Sequence, residues 1–295
     1  MAQFTPLRYP GGKGKLANFV KRLFEYNNLN DGTYVEPYAG GAAVALSLLL
    51  EGYAWRVVIN DLDPCVHAFW WAALNDTETL LRKITDTPVN MDIWHTQKSV
   101  IANAKDFSTT EIGFATFFLN RTNRSGILEA GVIGGKGQTG NYPIHARFNK
   151  TDLLKRFELI ALYRSRISLY NIDAHDLIKT VIPAITGKCL VYFDPPYFNK
   201  GKLLYRNCYT PRDHAIIAAA IRRLDIPWMV TYDNVPEIAH LYAGEHSAPF
   251  DICYSAHMDR ERGSEIMFYK NLLLPCAPYT RKAALQETRA PQPTY

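Results

Sequence analysis

The sequence predicts an α/β protein, a mostly parallel sheet whose strands alternate with helices, broken by one long helical insertion. Three observations carry that expectation. Short runs rich in β-branched and aromatic residues at 33–35, 55–60, 189–194 and 228–232 are separated by stretches with helical period, an alternation that favours strands joined by crossover helices. The run Cys189-Leu190-Val191-Tyr192-Phe193 is apolar throughout before it meets Asp194, the pattern of a strand buried on both faces that ends at a site. Between residues 64 and 166 strand signals fade, helical period takes over, and a Gly-rich stretch at 126–140 interrupts it.

Composition bounds the rest. With 295 residues, 47% of them hydrophobic, the chain can bury one large core or a core with an appended domain. The net charge of +5 suits a polyanionic partner without demonstrating one. Cys65, Cys189, Cys208, Cys253 and Cys276 are scattered, with neither C-x-x-C pairing nor zinc-ligand spacing. No metal ion is expected, and a reducing cytoplasm fits. The longest apolar run, 42–50, is too short for a bilayer, and the Met1-Ala2-Gln3-Phe4 start lacks a signal-peptide pattern. From Pro275 to the end the chain is aperiodic and reads as a flexible tail.

Asp194-Pro195-Pro196-Tyr197 is the most informative motif. Two consecutive prolines remove two N–H donors and stiffen the turn, leaving the Pro195 carbonyl as an acceptor beside the Asp194 carboxylate. Acceptors at that point suit an exocyclic base amine, whose lone pair is delocalised into the ring until its hydrogens are held. Tyr197 adds a flat face for stacking an extruded base, a contact worth about 1–3 kcal/mol. Taken alone, the motif is also an ordinary strand-to-loop turn.

Val35-Glu36-Pro37-Tyr38-Ala39-Gly40-Gly41-Ala42 follows a strand and opens an apolar helix, and its small residues let a ligand approach the backbone. The next strand ends at Asn60-Asp61-Leu62-Asp63, where an acidic side chain grips ribose hydroxyls in this architecture. A tight turn followed by a helix-capping aspartate is the more common meaning of either motif alone. Arg8-Tyr9-Pro10-Gly11-Gly12-Lys13-Gly14-Lys15-Leu16 lacks P-loop spacing and reads as a basic, aromatic-bearing loop that either covers a ligand or is simply exposed. From 121 to 166, nine basic residues face three acidic ones, with Asn120, Thr122, Asn123 and Ser125 interleaved. That mixture can touch phosphates and base edges; a solvated helix face is the plainer meaning of scattered charge.

In this order the motifs resemble the Dam-type site-specific DNA adenine-N6 methyltransferases whose cofactor motif precedes the target-recognition domain, over most of residues 5–270. The resemblance implies a Rossmann-like class I methyltransferase sheet formed by residues 1–63 with 167–274, and an inserted, mainly helical target-recognition domain at 64–166. It implies methyl transfer from S-adenosylmethionine to N6 of a flipped adenine in double-stranded DNA. Asp194, Pro195, Pro196 and Tyr197 would be catalytic. Tyr9, Lys13, Glu36, Pro37, Tyr38, Gly40, Asp61, Asp173 and Asp194 would hold the cofactor. Arg121, Arg124, Ser125, Glu129, Lys136, Arg147 and Lys150 would meet DNA. Tyr232-Asp233-Asn234 and Glu265-Ile266-Met267-Phe268-Tyr269 resemble late motifs that support the pocket and sheet edge. Glu129 stands where relatives reading GATC carry an arginine, which implies a different target, since a carboxylate can accept from a cytosine amine. The resemblance further implies a monomer in a bacterial or phage-encoded setting that can include a cognate restriction nuclease. The competing readings are transfer to cytosine N4, an RNA base or a protein amide, and a catalytically silent DNA-binding protein. A nicotinamide oxidoreductase is disfavoured because the dinucleotide fingerprint is missing.

Overall fold

The computed structural model describes residues 4–8, 13–198, 209–253 and 262–278. Tyr9, the glycines of the adjoining loop, Cys208 and tail residues 279–295 lie outside the described residues. The chain is a mixed α/β protein built on a seven-stranded sheet. Its strands are β1 (Gly32–Glu36), β2 (Ala54–Asn60), β3 (Ile167–Tyr170), β4 (Cys189–Phe193), β5 (Trp228–Asp233), β6 (His246–Cys253) and β7 (Arg262–Lys270). They lie in the order β3-β2-β1-β4-β5-β7-β6. β1 to β5 are parallel, while β7 runs antiparallel to both β5 and β6.

From β1 the chain steps to β2 and β3 on one side, then returns to lay β4 and β5 on the other. The reversal opens a crevice at the C-terminal ends of β1 and β4, where ligands collect in open α/β sheets. Glu36 ends β1 and Asp194 follows β4, so topology alone brings the two motif turns together. β4 is buried at every position, as its unbroken apolar sequence requires.

The helices are α1 (Ala17–Tyr26), α2 (Ala43–Leu50), α3 (Pro64–Asn75), α4 (Thr77–Asp86), α5 (Met91–Ala102), α6 (Thr109–Thr122), α7 (Lys150–Leu162), α8 (Ala174–Thr180), α9 (Pro211–Arg222) and α10 (Pro236–Leu241). The apolar run at 42–50 is almost entirely α2, buried against β1 and β2. Local chemistry sets several starts. Asp63 caps α3 with Pro64 at its first position, and Ser108 with Glu111 forms a capping box on α6. Among the described residues no helix is long and apolar enough to cross a membrane.

The sequence misses β3 and β6. β3 is only four residues, and β6 is an edge strand carrying Pro249, polar enough to hide its period. The regular structure of 64–166 is helical, interrupted by turns over 127–143 that carry one isolated bridge, Asn123 to Val132. Its Phe69, Phe117 and Phe157 belong to the same apolar cluster as Tyr34, Val57 and Ile59 of the sheet, so the core runs on across the expected domain boundary. At the other end of the chain, Leu273 exchanges backbone hydrogen bonds with the Asn27 side chain after α1, and Cys276 packs on that core.

Candidate active site

Asp194 leaves β4 and turns back toward β5. Its Oδ1 accepts from the Thr231 hydroxyl at 2.9 Å and lies 3.3 Å from the Lys13 ammonium. Thr231 is in turn 2.8 Å from the Tyr192 hydroxyl. A threonine that donates to Asp194 leaves its own oxygen to accept from Tyr192, which orders the chain as Tyr192 to Thr231 to Asp194. Both contacts of Asp194 fall on Oδ1; among the described residues Oδ2 has no hydrogen-bond partner. Burial pushes this carboxyl up to about 6, with Lys13 opposing and Glu265 adding to the rise.

Lys13 is placed against the Asp194–Tyr197 turn. Buried at 5% exposure, it donates to the Tyr197 hydroxyl at 2.6 Å and to Glu265 at 3.1 Å. The Tyr197 hydroxyl donates to Glu265 Oε1 at 2.6 Å. The open stacking face expected of Tyr197 is corrected by this arrangement, since the side chain is 4% exposed and the Lys13 ammonium sits 4.8 Å from its ring centroid. Pro195 and Pro196 are also buried.

On the β1 side the turn is held from several directions. Glu36 is buried, its Oε1 accepting from the Tyr34 hydroxyl at 3.0 Å and the Ala45 N–H at 3.2 Å. Desolvation raises its carboxyl to about 8. Asn60, 1% exposed, donates to the carbonyls of Pro37 and Ile172 and accepts from the Ile172 N–H, tying together the ends of β1, β2 and β3. Tyr38 meets Tyr209 hydroxyl to hydroxyl at 2.8 Å. Gly40 takes a φ of +46°, a region open to glycine. Its carbonyl accepts from the Trp70 indole at 2.9 Å and its N–H donates to Asp61 at 2.8 Å. Burial lifts the Asp61 carboxyl to about 6, against its hydrogen bonds from the Asp63 and Gly40 amides. Asp173 caps α8 by accepting from His175 N at 2.8 Å.

In the insertion, Arg124, Glu129, Lys136 and Arg147 are exposed and Ser125 is partly so. Ser125 and Gly126 both take positive φ, 56° and 78°, a double left-handed turn that lifts Arg124 over Gly131. Arg121 and Lys150 are corrected. Arg121 is buried, donating to the carbonyls of Arg147 at 2.7 Å and Pro6 at 3.4 Å; Lys150 donates to the carbonyls of Thr85 and Thr87 past the end of α4. Both cations satisfy backbone acceptors of the fold.

Sequence reasoning misses Trp70, Asn60 as a crosslink, and Thr231. Trp70 and Thr231 belong to no local motif and Asn60 only opens one read for its aspartates, and each acts through neighbours distant in sequence.

Comparison with known proteins assigns the chain. The model of a family described as D12 class N6 adenine-specific DNA methyltransferase matches residues 9–258. The type II methyltransferase M.MjaIII of Methanocaldococcus jannaschii is 22% identical over 223 residues, 70% of this chain and 73% of its own. Among solved structures, a SAM-dependent methyltransferase from Agrobacterium tumefaciens aligns with 88% of this chain and 62% of its own, at 10% identity and a TM-score of 0.40. The rRNA methyltransferase aviRa from Streptomyces viridochromogenes aligns with 88% and 85%, at 14% identity and a TM-score of 0.38. With its match spanning both motif turns and the whole insertion between them, the chain belongs to the D12 class N6 adenine-specific DNA methyltransferase family.

Proposed function

We propose that this DNA adenine-N6 methyltransferase uses Asp194 Oδ2 and the Pro195 carbonyl to hold the hydrogens of a flipped adenine amine. The observation that carries the reading is the one-sided tethering of Asp194, whose Oδ1 is taken by Thr231 and Lys13. A carboxylate fixed through one oxygen presents the other without reorganisation, and preorganised acceptors are the main source of acceleration in such a step. Accepting the amine hydrogens localises the nitrogen lone pair. The proton leaves after transfer, so no strong base is needed.

The crevice fits S-adenosylmethionine. Gly40 brings bare backbone to the β1 turn, and the partly exposed Asp61 carboxylate is held beside it, a donor and acceptor set suited to a nucleoside with ribose hydroxyls. Glu36, Pro37, Tyr38 and Asp173 line or brace the same strand ends. When bound, the group supplies an electrophilic methyl on a cationic sulfur.

Residues 64–166 read the target in this proposal, with Arg124, Ser125, Glu129, Lys136 and Arg147 available at the surface. The type II designation of the Methanocaldococcus relative supports a setting with a cognate nuclease. The test uses purified protein, labelled S-adenosylmethionine and mixed-sequence duplex DNA. Nucleoside digestion should return label in N6-methyladenine, and Asp194→Ala should lower the rate by about a thousandfold. Label in cytosine, or an unimpaired Asp194→Ala, overturns the reading.

A further inference from the structure

Glu265 lies on β7, opposite Asp233 of β5, beyond the residues matched by the family model. It is 1% exposed. Its two oxygens stand 3.1 and 3.0 Å from the Lys13 ammonium, and one of them accepts from the Tyr197 hydroxyl at 2.6 Å. The same ammonium is 3.3 Å from Asp194. Among the described residues, the two carboxylates therefore share the buried Lys13 ammonium.

We propose that Glu265 is a positioning residue for methyl transfer, anchoring Lys13 and Tyr197 so that the ammonium holds Asp194 by one oxygen only. The inference rests on the reading of Asp194 as the amine acceptor. The physical argument concerns where the excess negative charge sits. With Glu265 present, Lys13 is divided between two acids, so it neutralises Asp194 less fully than a one-to-one ion pair would. Without it, Lys13 closes onto Asp194 as a simple ion pair and weakens the acceptor that the amine needs. Among the described residues, the other titratable groups near Asp194 are Glu36 and Tyr34 on β1, Tyr192 on β4 and Tyr197 on the turn itself. Glu36 is raised to about 8 and the Tyr34 and Tyr192 hydroxyls well above their ordinary range, so these three stay neutral in the acid range probed.

The experiment measures single-turnover methyl transfer from labelled S-adenosylmethionine to duplex DNA between about pH 5 and 7, the range in which Asp194 is placed to titrate. Four proteins are compared: wild type, Glu265→Gln, Lys13→Met and Asp194→Ala, each checked for folding by thermal melting. Removing the like charge in Glu265→Gln should let Asp194 ionise more readily, moving the acid limb down by about one unit and lowering the plateau about tenfold. Removing the cation in Lys13→Met should move the limb up by about the same amount. A residue that merely fills space would lower the folded fraction and leave the acid limb of Glu265→Gln in place. If Asp194→Ala is inactive and the Glu265→Gln limb does not move, the role of Glu265 is overturned. If Asp194→Ala is active, the acceptor reading itself fails. Should Glu265→Gln not fold, Glu265→Asp takes its place: the shorter side chain keeps the charge but draws back from Lys13 and Tyr197, so a lowered plateau with the limb in place supports positioning and an unchanged plateau overturns it.

Discussion

Gly40 and Asp61, 21 positions apart in sequence, meet in one hydrogen bond, the glycine N–H donating to the aspartate Oδ2 at 2.8 Å. The bond joins the turns that follow β1 and β2. The other oxygen of Asp61 accepts from the Asp63 N–H at 2.9 Å, which fixes the carboxylate in the plane of both turns.

Asp61→Ala should therefore weaken S-adenosylmethionine binding about tenfold to a hundredfold, the equivalent of losing one charge-assisted hydrogen bond at roughly 1.5–3 kcal/mol. The rate at saturating cofactor should change much less, because Asp61 does not reach the amine. Wild-type affinity should also fall as pH drops through about 6, where the Asp61 carboxyl takes up its proton. Calorimetric titration at several pH values checks both, and an affinity in Asp61→Ala equal to wild type refutes the assignment.

Glu36 gives a stability signature of opposite character. Its carboxyl is raised in the folded protein from 4.5 to about 8 by burial. The unfolded chain releases this proton above about 4.5 while the folded chain retains it, so the contribution is most favourable below 4.5, declines as pH rises, and is fully lost above about 8. Glu36→Gln resembles the protonated acid and keeps an oxygen for Tyr34 and Ala45. The variant should melt higher than wild type at pH 8, by on the order of a few kcal/mol in stability, and the gap should close toward pH 5. Parallel melting curves across that range would refute a buried, neutral Glu36.

In the insertion, burial separates two kinds of arginine that look alike in sequence. Arg121→Ala removes the guanidinium partner of the Arg147 and Pro6 carbonyls and should cost about 2–4 kcal/mol of stability. Arg147→Ala and Lys136→Ala, at exposed positions, should leave melting unchanged and reduce the salt dependence of DNA binding by about one unit of slope each if they meet phosphates. Filter binding at a series of salt concentrations distinguishes the two behaviours.

This contrast shows where the sequence is legible. Asp194 can be found because its chemistry is compressed into four consecutive residues after an unbroken apolar strand. Gly40 and Asp61 are found because each ends a recognisable strand. Thr231 and Trp70 are invisible by the same standard. Thr231 reaches Asp194 across the β4–β5 register, and Trp70 reaches Gly40 from a helix whose pattern reads as ordinary core. Lys13 carries a recognisable motif, yet its closeness to Asp194 depends on sheet closure by β7. Arg121 and Arg147 share composition and neighbourhood, and only packing decides which one faces solvent.

The last relationship to test joins the insertion to the N-terminal segment. Asn120, near the end of α6, accepts from the Arg8 N–H at 2.7 Å and donates to the carbonyls of Arg8 at 2.7 Å and Gly126 at 2.9 Å. A carboxamide is the side chain that can do both at once. Asn120→Asp keeps the acceptor but turns an oxygen toward two carbonyl oxygens in a buried site, whereas Asn120→Ala merely leaves the groups unpaired. At neutral pH the aspartate variant should therefore be destabilised at least as much as the alanine variant, by about 2–4 kcal/mol. Its carboxyl is held protonated more tightly in the folded protein than in the unfolded chain, so its deficit should shrink as pH is lowered, when a hydroxyl again donates to one carbonyl. The alanine deficit should stay constant. Thermal melting of the two variants against pH checks this, and equal pH dependence would mean that Asn120 does not bridge Arg8 and Gly126 in solution.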